Sequence, residues 1–233
     1  MAYKKKSTKE WSKISGVNGH QAIKKTLTWL PIFLIVMGFA GLTICSFIIY
    51  SNITRPKIPK DVHITTSPSI DKPTHDMLVK YKVAPDLPKY ISVTKLNIYK
   101  ARVFSLDVKD GQITNPGNIN DAGWYNGSAK PGQRGAMFIF GHLSSWQAKG
   151  LFYDLRKLKI GDTVSITRGD DRIFNYKVVS SKTYPANQVD MNTVLSPVLV
   201  SKPGLNLMTC AGKIIQGTND FDERLVVFMT SSD

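Results

Sequence analysis

An uncharged apolar segment near the N-terminus constrains the fold of this chain more than any other feature. The stretch Leu27–Tyr50 carries no charged residue and is almost wholly apolar. A helix needs about 20 apolar residues to cross a bilayer core, and Trp29 and Tyr50 lie near the ends, where aromatic side chains favour the interface. A cleaved signal peptide would have a shorter apolar core and a small-residue cleavage site. The pattern therefore predicts a retained transmembrane helix over residues 26–50.

The charge before this segment predicts its orientation. Residues 1–25 hold seven lysines and one glutamate, and basic flanks stay on the cytoplasmic side of a membrane. A formal net charge of +14 is also typical of nucleic-acid-binding proteins. However, the densest basic run lies in this tail, and the chain has no nucleic-acid recognition motif. The sequence predicts a single-pass cell-membrane protein with a cytoplasmic N-terminus, an extracellular remainder, the bilayer as a partner and no nucleic acid.

The extracellular part divides by composition. Residues 51–88 contain six of the twelve prolines, with Ser, Thr, Lys and Asp between them, which predicts a semi-extended stalk with a short helix near Met77–Val79. Residues 89–233 are long enough for one core and read as mostly β, with a helical segment over Leu151–Leu158. Short β-branched or aromatic runs separated by turn residues predict these strands: Tyr90–Ile98, Ala101–Leu106, Ala136–Phe140, Thr163–Thr167, Ile173–Val179, Leu205–Thr209 and Arg224–Thr230.

The fourth and fifth of these strands read as a hairpin, and short strands with one or two small helices favour a closed or nearly closed β-barrel. If the last two strands pair antiparallel, Cys210 at the end of one lies beside Arg224 at the start of the next. Cys45 lies in the predicted anchor, so Cys210 is an unpaired thiol outside the membrane. His142 follows another strand. A Cys nucleophile needs a proton partner, usually His, and an Arg can stabilise an oxyanion.

Each of these three residues also has an ordinary structural role. A lone Cys is often a small buried apolar side chain, a His after Gly is often a loop residue, and an Arg at a strand start is often surface charge. Asp220, Asp222 and Glu223 could bind calcium or form a solvated acidic loop. The four histidines show no metal-ligand spacing, so no metal site or cofactor is predicted.

The segment Asn206-Leu207-Met208-Thr209-Cys210 resembles the T-L-x-T-C nucleophile motif of the sortases, membrane-anchored cysteine transpeptidases of Gram-positive-type cell envelopes. It departs from that motif at its first position, Asn for Thr. Gly141-His142 and the run from Gly150 to Asp162 are similar to further family motifs, and Gly123-Trp124-Tyr125 resembles class E and F members. Arg224 opens the last strand, as the family's essential Arg does. The resemblance covers about residues 85–233.

The resemblance implies a sortase-like barrel of about seven to eight strands and a transpeptidase mechanism. Cys210 would attack the Thr–Gly bond of an LPxTG-like sorting signal, His142 would transfer protons, and Arg224 would stabilise the oxyanion. Leu207 and Thr209 would contact the substrate. The segment Pro185–Gly204 corresponds to a loop that cradles the sorting signal. The implied partners are surface proteins with C-terminal sorting signals and a peptidoglycan precursor amine.

Three alternatives stay open at this point. A pilin-polymerising sortase would use a Lys amine as acceptor, but members of that kind often carry an Asp-Pro-aromatic lid motif, which this chain lacks. The L,D-transpeptidases have a Ser-x-Gly-Cys-x-Arg type of motif, which Cys210 and its neighbours do not match. A non-catalytic exported β-domain would bury an inert Cys210. The sequence does not specify the sorting motif, the acceptor or the oligomeric state.

Overall fold

The computed structural model describes residues 19–54, 58–62 and 68–232. Helix α1 (Gly19–Thr54) contains the segment Pro31–Tyr50, whose mean hydropathy is 2.6 and whose residues are exposed throughout. This segment is long and apolar enough to cross a membrane, which fits the predicted single-pass anchor. Residues 1–18 of the predicted basic tail lie outside the described residues.

Eight strands close into a barrel, and a two-stranded hairpin lies outside it. The order around the barrel is β1-β2-β5-β6-β9-β10-β8-β7, with β1 paired to β7, and β3 pairs with β4. The strands are β1 (Pro88–Val93), β2 (Ile98–Leu106), β3 (Val108–Lys109), β4 (Gln112–Ile113), β5 (Ala122–Tyr125), β6 (Ala136–Gly141), β7 (Thr163–Arg168), β8 (Ile173–Pro185), β9 (Gly204–Ile214) and β10 (Phe221–Ser231). The predicted mostly β, closed barrel is confirmed.

Apolar side chains pack on both faces of the barrel wall. Leu205 and Leu207 of β9 belong to the cluster that draws on all eight barrel strands and therefore fills the interior. Met208 and Cys210 point to the opposite face, because successive side chains of a strand alternate. That outer face of β5, β6, β9 and β10 is covered by the β3–β4 hairpin, by Val62 and by helix α3 (Met191–Val194). Cys210 thus lies in a second, outer core.

Some of the local elements predicted from the sequence are present in the structure, and others differ. The β7–β8 hairpin and the antiparallel β9–β10 pair are confirmed, as is a short helix before the barrel, α2 (His75–Lys80). The first predicted strand is interrupted by a 3₁₀ turn at Thr94–Leu96, after which Asn97 adopts a left-handed φ of 56°. Asn tolerates this conformation better than most residues, which is why the chain reverses there.

The predicted helix over Leu151–Leu158 is wrong. The segment forms turns and a short 3₁₀ helix at Leu155–Lys157, with Leu155 N–H bonded to Phe152 O and Leu158 N–H to Leu155 O. Phe152, Leu155 and Leu158 are nevertheless buried in the barrel core, and Leu151 is partly buried against it. The spacing of the apolar residues therefore predicted their burial, but the segment is too short to form a stable α-helix.

The division into a stalk over residues 51–88 and a domain over residues 89–233 stays a prediction. In the structure, Lys57–Asp233 form one compact unit, so residues 58–62 and 68–88 of the predicted stalk pack with the barrel, whereas residues 51–54 belong to helix α1. Lys60 N–H bonds to Gly111 O at 2.7 Å, and Ile113 N–H bonds to Asp61 O at 2.8 Å. These backbone bonds fix residues 60–62 along the β3–β4 hairpin without needing an apolar repeat in the sequence.

Candidate active site

Strand pairing places two of the three predicted site residues side by side. Arg224 is the register partner of Cys210 in the β9–β10 ladder, so the predicted sharing of one sheet rim is confirmed. His142 follows Gly141 at the end of β6, which runs parallel to β9. Cys210 and His142 line one cavity of about 250 Å³. Pro68, Ile70, Trp146 and Phe221 also line this cavity.

The Cys210 thiol is buried, with only 3% of the residue exposed. Burial raises the pKa of Cys210 to about 12, since desolvation disfavours the thiolate; the nearby Arg224 charge lowers this pKa, whereas Asp220 and Asp61 raise it. In this arrangement the group is therefore a thiol at neutral pH. Becoming a nucleophile requires loss of that proton to a base.

His142 is held by a backbone carbonyl. Its Nε2 lies 2.8 Å from Pro116 O in a buried contact. A carbonyl oxygen only accepts hydrogen bonds, so Nε2 carries the proton of the neutral imidazole and Nδ1 remains for proton exchange. Burial lowers the pKa of His142, and the bond to Pro116 raises it in part. The imidazole is thus kept neutral and able to accept a proton.

Arg224 is almost completely buried, at 1% exposure, and its two terminal nitrogens are occupied. Nη1 donates to Phe221 O at 2.9 Å and Glu223 O at 3.1 Å, and Nη2 donates to Asp220 Oδ2 at 2.9 Å. Asp61 Oδ2 lies 3.8 Å from Nη2. Nε is buried without a hydrogen-bond partner among the described residues. The guanidinium is therefore held at its two terminal nitrogens, while the buried Nε–H is not used in these bonds.

The two predicted substrate-contact residues have structural partners. Leu207 is fully buried in the barrel interior. Thr209 Oγ1 donates to Gly141 O at 2.7 Å, which links the residue before Cys210 to the residue before His142. The predicted substrate contacts stay predictions, and the geometry gives Leu207 a packing role and Thr209 a bond between the two strands.

The segment between β8 and β9 is fixed by Asn206, the residue at which the motif departs from the family pattern. Its Nδ2 donates to Val194 O at 2.7 Å and to Ser196 O at 2.9 Å. One amide nitrogen carries both hydrogens needed for these bonds, whereas a hydroxyl carries one. The substitution of Asn for Thr therefore has a physical account in this chain.

The acidic residues near Arg224 serve separate bonds. Asp220 pairs with Arg224, while Asp222 Oδ1 accepts from Lys213 N–H at 2.7 Å. Within the described part of the chain, no group of three or more His, Cys, Asp or Glu side chains could hold a metal ion. The geometry therefore favours one of the two roles: Asp220 is a carboxylate that orients Arg224, and not a ligand of a calcium ion.

Several contacts at this site were not expected from the sequence. Asp61, Pro68 and Ile70 come from the predicted stalk, and Pro116 comes from a loop without catalytic residue types. Proline-rich composition and a backbone carbonyl carry no chemical signal in a sequence. The one contact that the sequence could have suggested is the ion pair between Asp220 and Arg224, because oppositely charged residues stand four positions apart.

Comparisons with known proteins agree with this geometry. A family model described as the Sortase domain matches residues 91–231. Sortase C-1 from Actinomyces oris is 16% identical with a TM-score of 0.52, over 81% of this chain and 95% of that chain. The pilus-related sortase C of Group B Streptococcus is 21% identical with a TM-score of 0.51, over 75% of this chain and 79% of that chain. At these identities the likeness shows the fold alone. A search of curated proteins finds no match.

Proposed function

This chain belongs to the sortase family of cysteine transpeptidases, and from that premise we propose that it cleaves an LPxTG-like sorting signal between Thr and Gly and joins the new carboxyl end to a cell-wall amine. One observation supports the assignment most: Cys210 is the register partner of Arg224 and shares a cavity with His142. A structural Cys would need neither neighbour. The resemblance to class E and F members stays a prediction.

In the first half-reaction, the Cys210 thiol passes its proton to Nδ1 of His142 as the sorting peptide enters. Sγ then attacks the Thr carbonyl carbon, and the carbonyl electrons move to oxygen. When the tetrahedral intermediate collapses, the C–N bond breaks and His142 gives its proton to the departing glycine amine. The product is a thioester on Cys210. These reaction steps must start from a neutral His142 imidazole and a protonated Cys210 thiol, the forms that burial of the two groups favours.

In the second half-reaction, an acceptor amine attacks the thioester carbon. His142 takes the proton that the amine loses, and Cys210 leaves as the amide bond forms. The proton then returns to the thiolate sulfur, so the enzyme ends in its original protonation state. Water in place of the amine would give hydrolysis of the thioester in place of transfer.

Arg224 is proposed to stabilise the tetrahedral oxyanion through Nε–H. That donor is buried and has no partner among the described residues, whereas the terminal nitrogens are bound to carbonyls and to Asp220. A donor fixed before the reaction needs no reorganisation when charge develops on oxygen. The same positive charge lowers the pKa of Cys210.

Arg224→Lys is expected to lower kcat by about 10²–10³-fold, the range for loss of one oxyanion donor. Lysine keeps the charge and can still pair with Asp220, but it has no second donor at the position of Nε. KM should change less, because the bond strengthens only as charge develops. Steady-state kinetics with a sorting peptide and triglycine measure both. A raised KM with an unchanged kcat would instead assign Arg224 to binding of the ground-state peptide.

The acceptor is proposed to be the amine of a peptidoglycan precursor, with a pilin Lys side chain as the second candidate. No described residue near Cys210 distinguishes a glycine-type amine from a lysine amine. Competition between triglycine and a lysine-containing pilin peptide for the acyl-enzyme decides between them. Faster transfer to triglycine supports wall anchoring, and faster transfer to the lysine peptide supports polymerisation.

The function is tested by mass spectrometry of the full-length protein in detergent, mixed with a small panel of LPxTG-like peptides. The expected result is an acyl-enzyme whose added mass ends at Thr, and its disappearance as triglycine is added and the ligated peptide forms. Peptide cleavage without an enzyme adduct would contradict a thioester pathway. Absence of any adduct across the panel would contradict the proposed substrate class.

We further propose that α1 stays attached and that the barrel faces the outside of the cell. The lysine-rich tail before the apolar segment supports this orientation. Protease added to intact protoplasts is expected to release the barrel domain, because the protease cannot cross the membrane and cuts only on its outer side. Full protection of the domain, or secretion of a soluble form, would show the opposite topology or a cleaved signal.

A further inference from the structure

The loop 116–120 supplies the contact that orients His142. Besides the Pro116 carbonyl at 2.8 Å from Nε2, the loop contributes Ile119 O, which accepts a hydrogen bond from Leu151 N–H at 2.9 Å. Pro116 and Ile119 are both buried. The position of the Pro116 carbonyl therefore depends on what holds this loop.

Residues 69–71 hold the loop from its other side. Ser69 N–H donates to Gly117 O at 2.9 Å, and Ile119 N–H donates to Ser69 O at 2.8 Å. Asn118 Nδ2 donates to Asp71 O at 2.9 Å. Asn118 Oδ1 also accepts from Asn120 N–H at 2.8 Å, which stiffens the loop internally.

Asn120 completes the attachment. Its Nδ2 lies 3.3 Å from Asp71 O and 3.4 Å from Ile70 O. Ile70 lines the cavity that contains Cys210 and His142. Residues 69–71 thus form part of the cavity wall and also support the loop that binds the imidazole. Both roles fall on a segment whose composition predicts only a stalk.

We propose that Asn118 and Asn120 are positioning residues, which fasten the loop 116–120 to residues 69–71 so that Pro116 O keeps His142 as the Nε2–H tautomer with Nδ1 available to the reaction. The inference rests on the proposed acid–base role of His142 for its effect on catalysis. Its effect on the tautomer does not depend on that role.

The physical reason lies in the freedom of an imidazole ring. Without the carbonyl, either ring nitrogen can carry the proton, and the ring can rotate about χ2, since that torsion is broad. A fraction of the molecules would then present a protonated Nδ1, which cannot accept the thiol proton. Among the residues that line the cavity, Cys210 is the other titratable group, so no carboxylate there can substitute for the carbonyl.

The test compares the wild-type chain with the double variant Asn118→Ala/Asn120→Ala, both full length in detergent. Nitrogen-15 NMR of histidine-labelled protein reads the tautomer, with His142→Ala used to assign the signal. The expected result is a pure Nε2–H signal in the wild type and a mixture in the variant. We expect kcat to fall by about tenfold, well short of the 10²–10⁴-fold that an acid–base group contributes, with little change in KM.

The matched control is Asn126→Ala. Asn126 also makes a side-chain bond between loops, to Asp107, and its hydrogen bonds among the described residues involve Asp107 and Leu106 rather than the segment 69–71. Thermal melting of each variant reports folding, and Asn118→Ala alone replaces the double variant if that protein does not fold. An unchanged tautomer overturns the proposal, whatever the kinetics. A changed tautomer with normal activity would uphold the loop's role and refute acid–base catalysis by His142.

Discussion

Cys210→Ala is expected to abolish both cleavage of a sorting peptide and its transfer to an amine. The proposed pathway passes through a covalent bond to Sγ, and alanine offers no atom that could replace it. The substitution removes one buried sulfur from the outer core and leaves the Asp220–Arg224 pair in place. Loss of activity is therefore expected without loss of the fold.

Mass spectrometry and peptide assays of the purified full-length variants check this result. The matched control is Cys45→Ala, which removes the other free cysteine, in α1, and should retain wild-type activity. Thermal melting separates chemistry from folding. A Cys210→Ala protein that still transfers peptide would show that the nucleophile is misassigned. An inactive Cys45→Ala protein with a normal fold would show that Cys45 in α1 also takes part in the reaction.

The parts of the site that could be predicted from the sequence lie on strands. Runs of β-branched and other apolar residues bounded by turn residues identified β9 and β10, and antiparallel pairing of neighbours then placed Cys210 beside Arg224. His142 was found because a motif surrounds it. Such predictions succeed where a local pattern specifies an element and a simple pairing rule joins it to the next.

The rest of the site depends on contacts that leave no local pattern. His142 bonds to a carbonyl 26 positions away, and any residue type provides a carbonyl. Residues 60–62 and 69–71 pack on the barrel largely through backbone bonds, so the proline-rich composition of the segment around them gave no sign of where they lie. The short strand β5 was missed because Ala122–Tyr125 has only four residues and includes a glycine, which is disfavoured in strands.

Burial of the site has a consequence for catalysis that sequence motifs do not convey. Desolvation raises the pKa of Cys210 and lowers that of His142, so both groups favour their neutral forms. An ion pair of thiolate and imidazolium is therefore a minor species before substrate binds. Proton transfer from Cys210 to His142 must therefore follow the entry of the peptide, so the rate depends on whether Nδ1 of His142 is free to accept the proton.

His142→Ala is accordingly expected to reduce kcat by about 10²–10⁴-fold, the contribution of a positioned acid–base group. The loss follows because no other residue lining the cavity can take the Cys210 proton and return it to the leaving amine. His142→Gln separates this role from a structural one. Its side-chain amide can donate a hydrogen bond toward Pro116 O as Nε2 does, yet it exchanges no proton near neutral pH.

Both variants should therefore be similarly inactive, and added imidazole should restore part of the activity of the alanine variant by entering the space that the ring leaves. Steady-state kinetics against pH provide the measurement. Burial lowers the pKa of His142. The acidic limb of the wild-type pH–rate profile, which reports protonation of His142, should therefore lie below the ordinary pH range of a histidine. This limb should be absent in both variants. A glutamine variant close to wild type would show that His142 serves to hold the loop at Pro116, and proton transfer would then belong to another group.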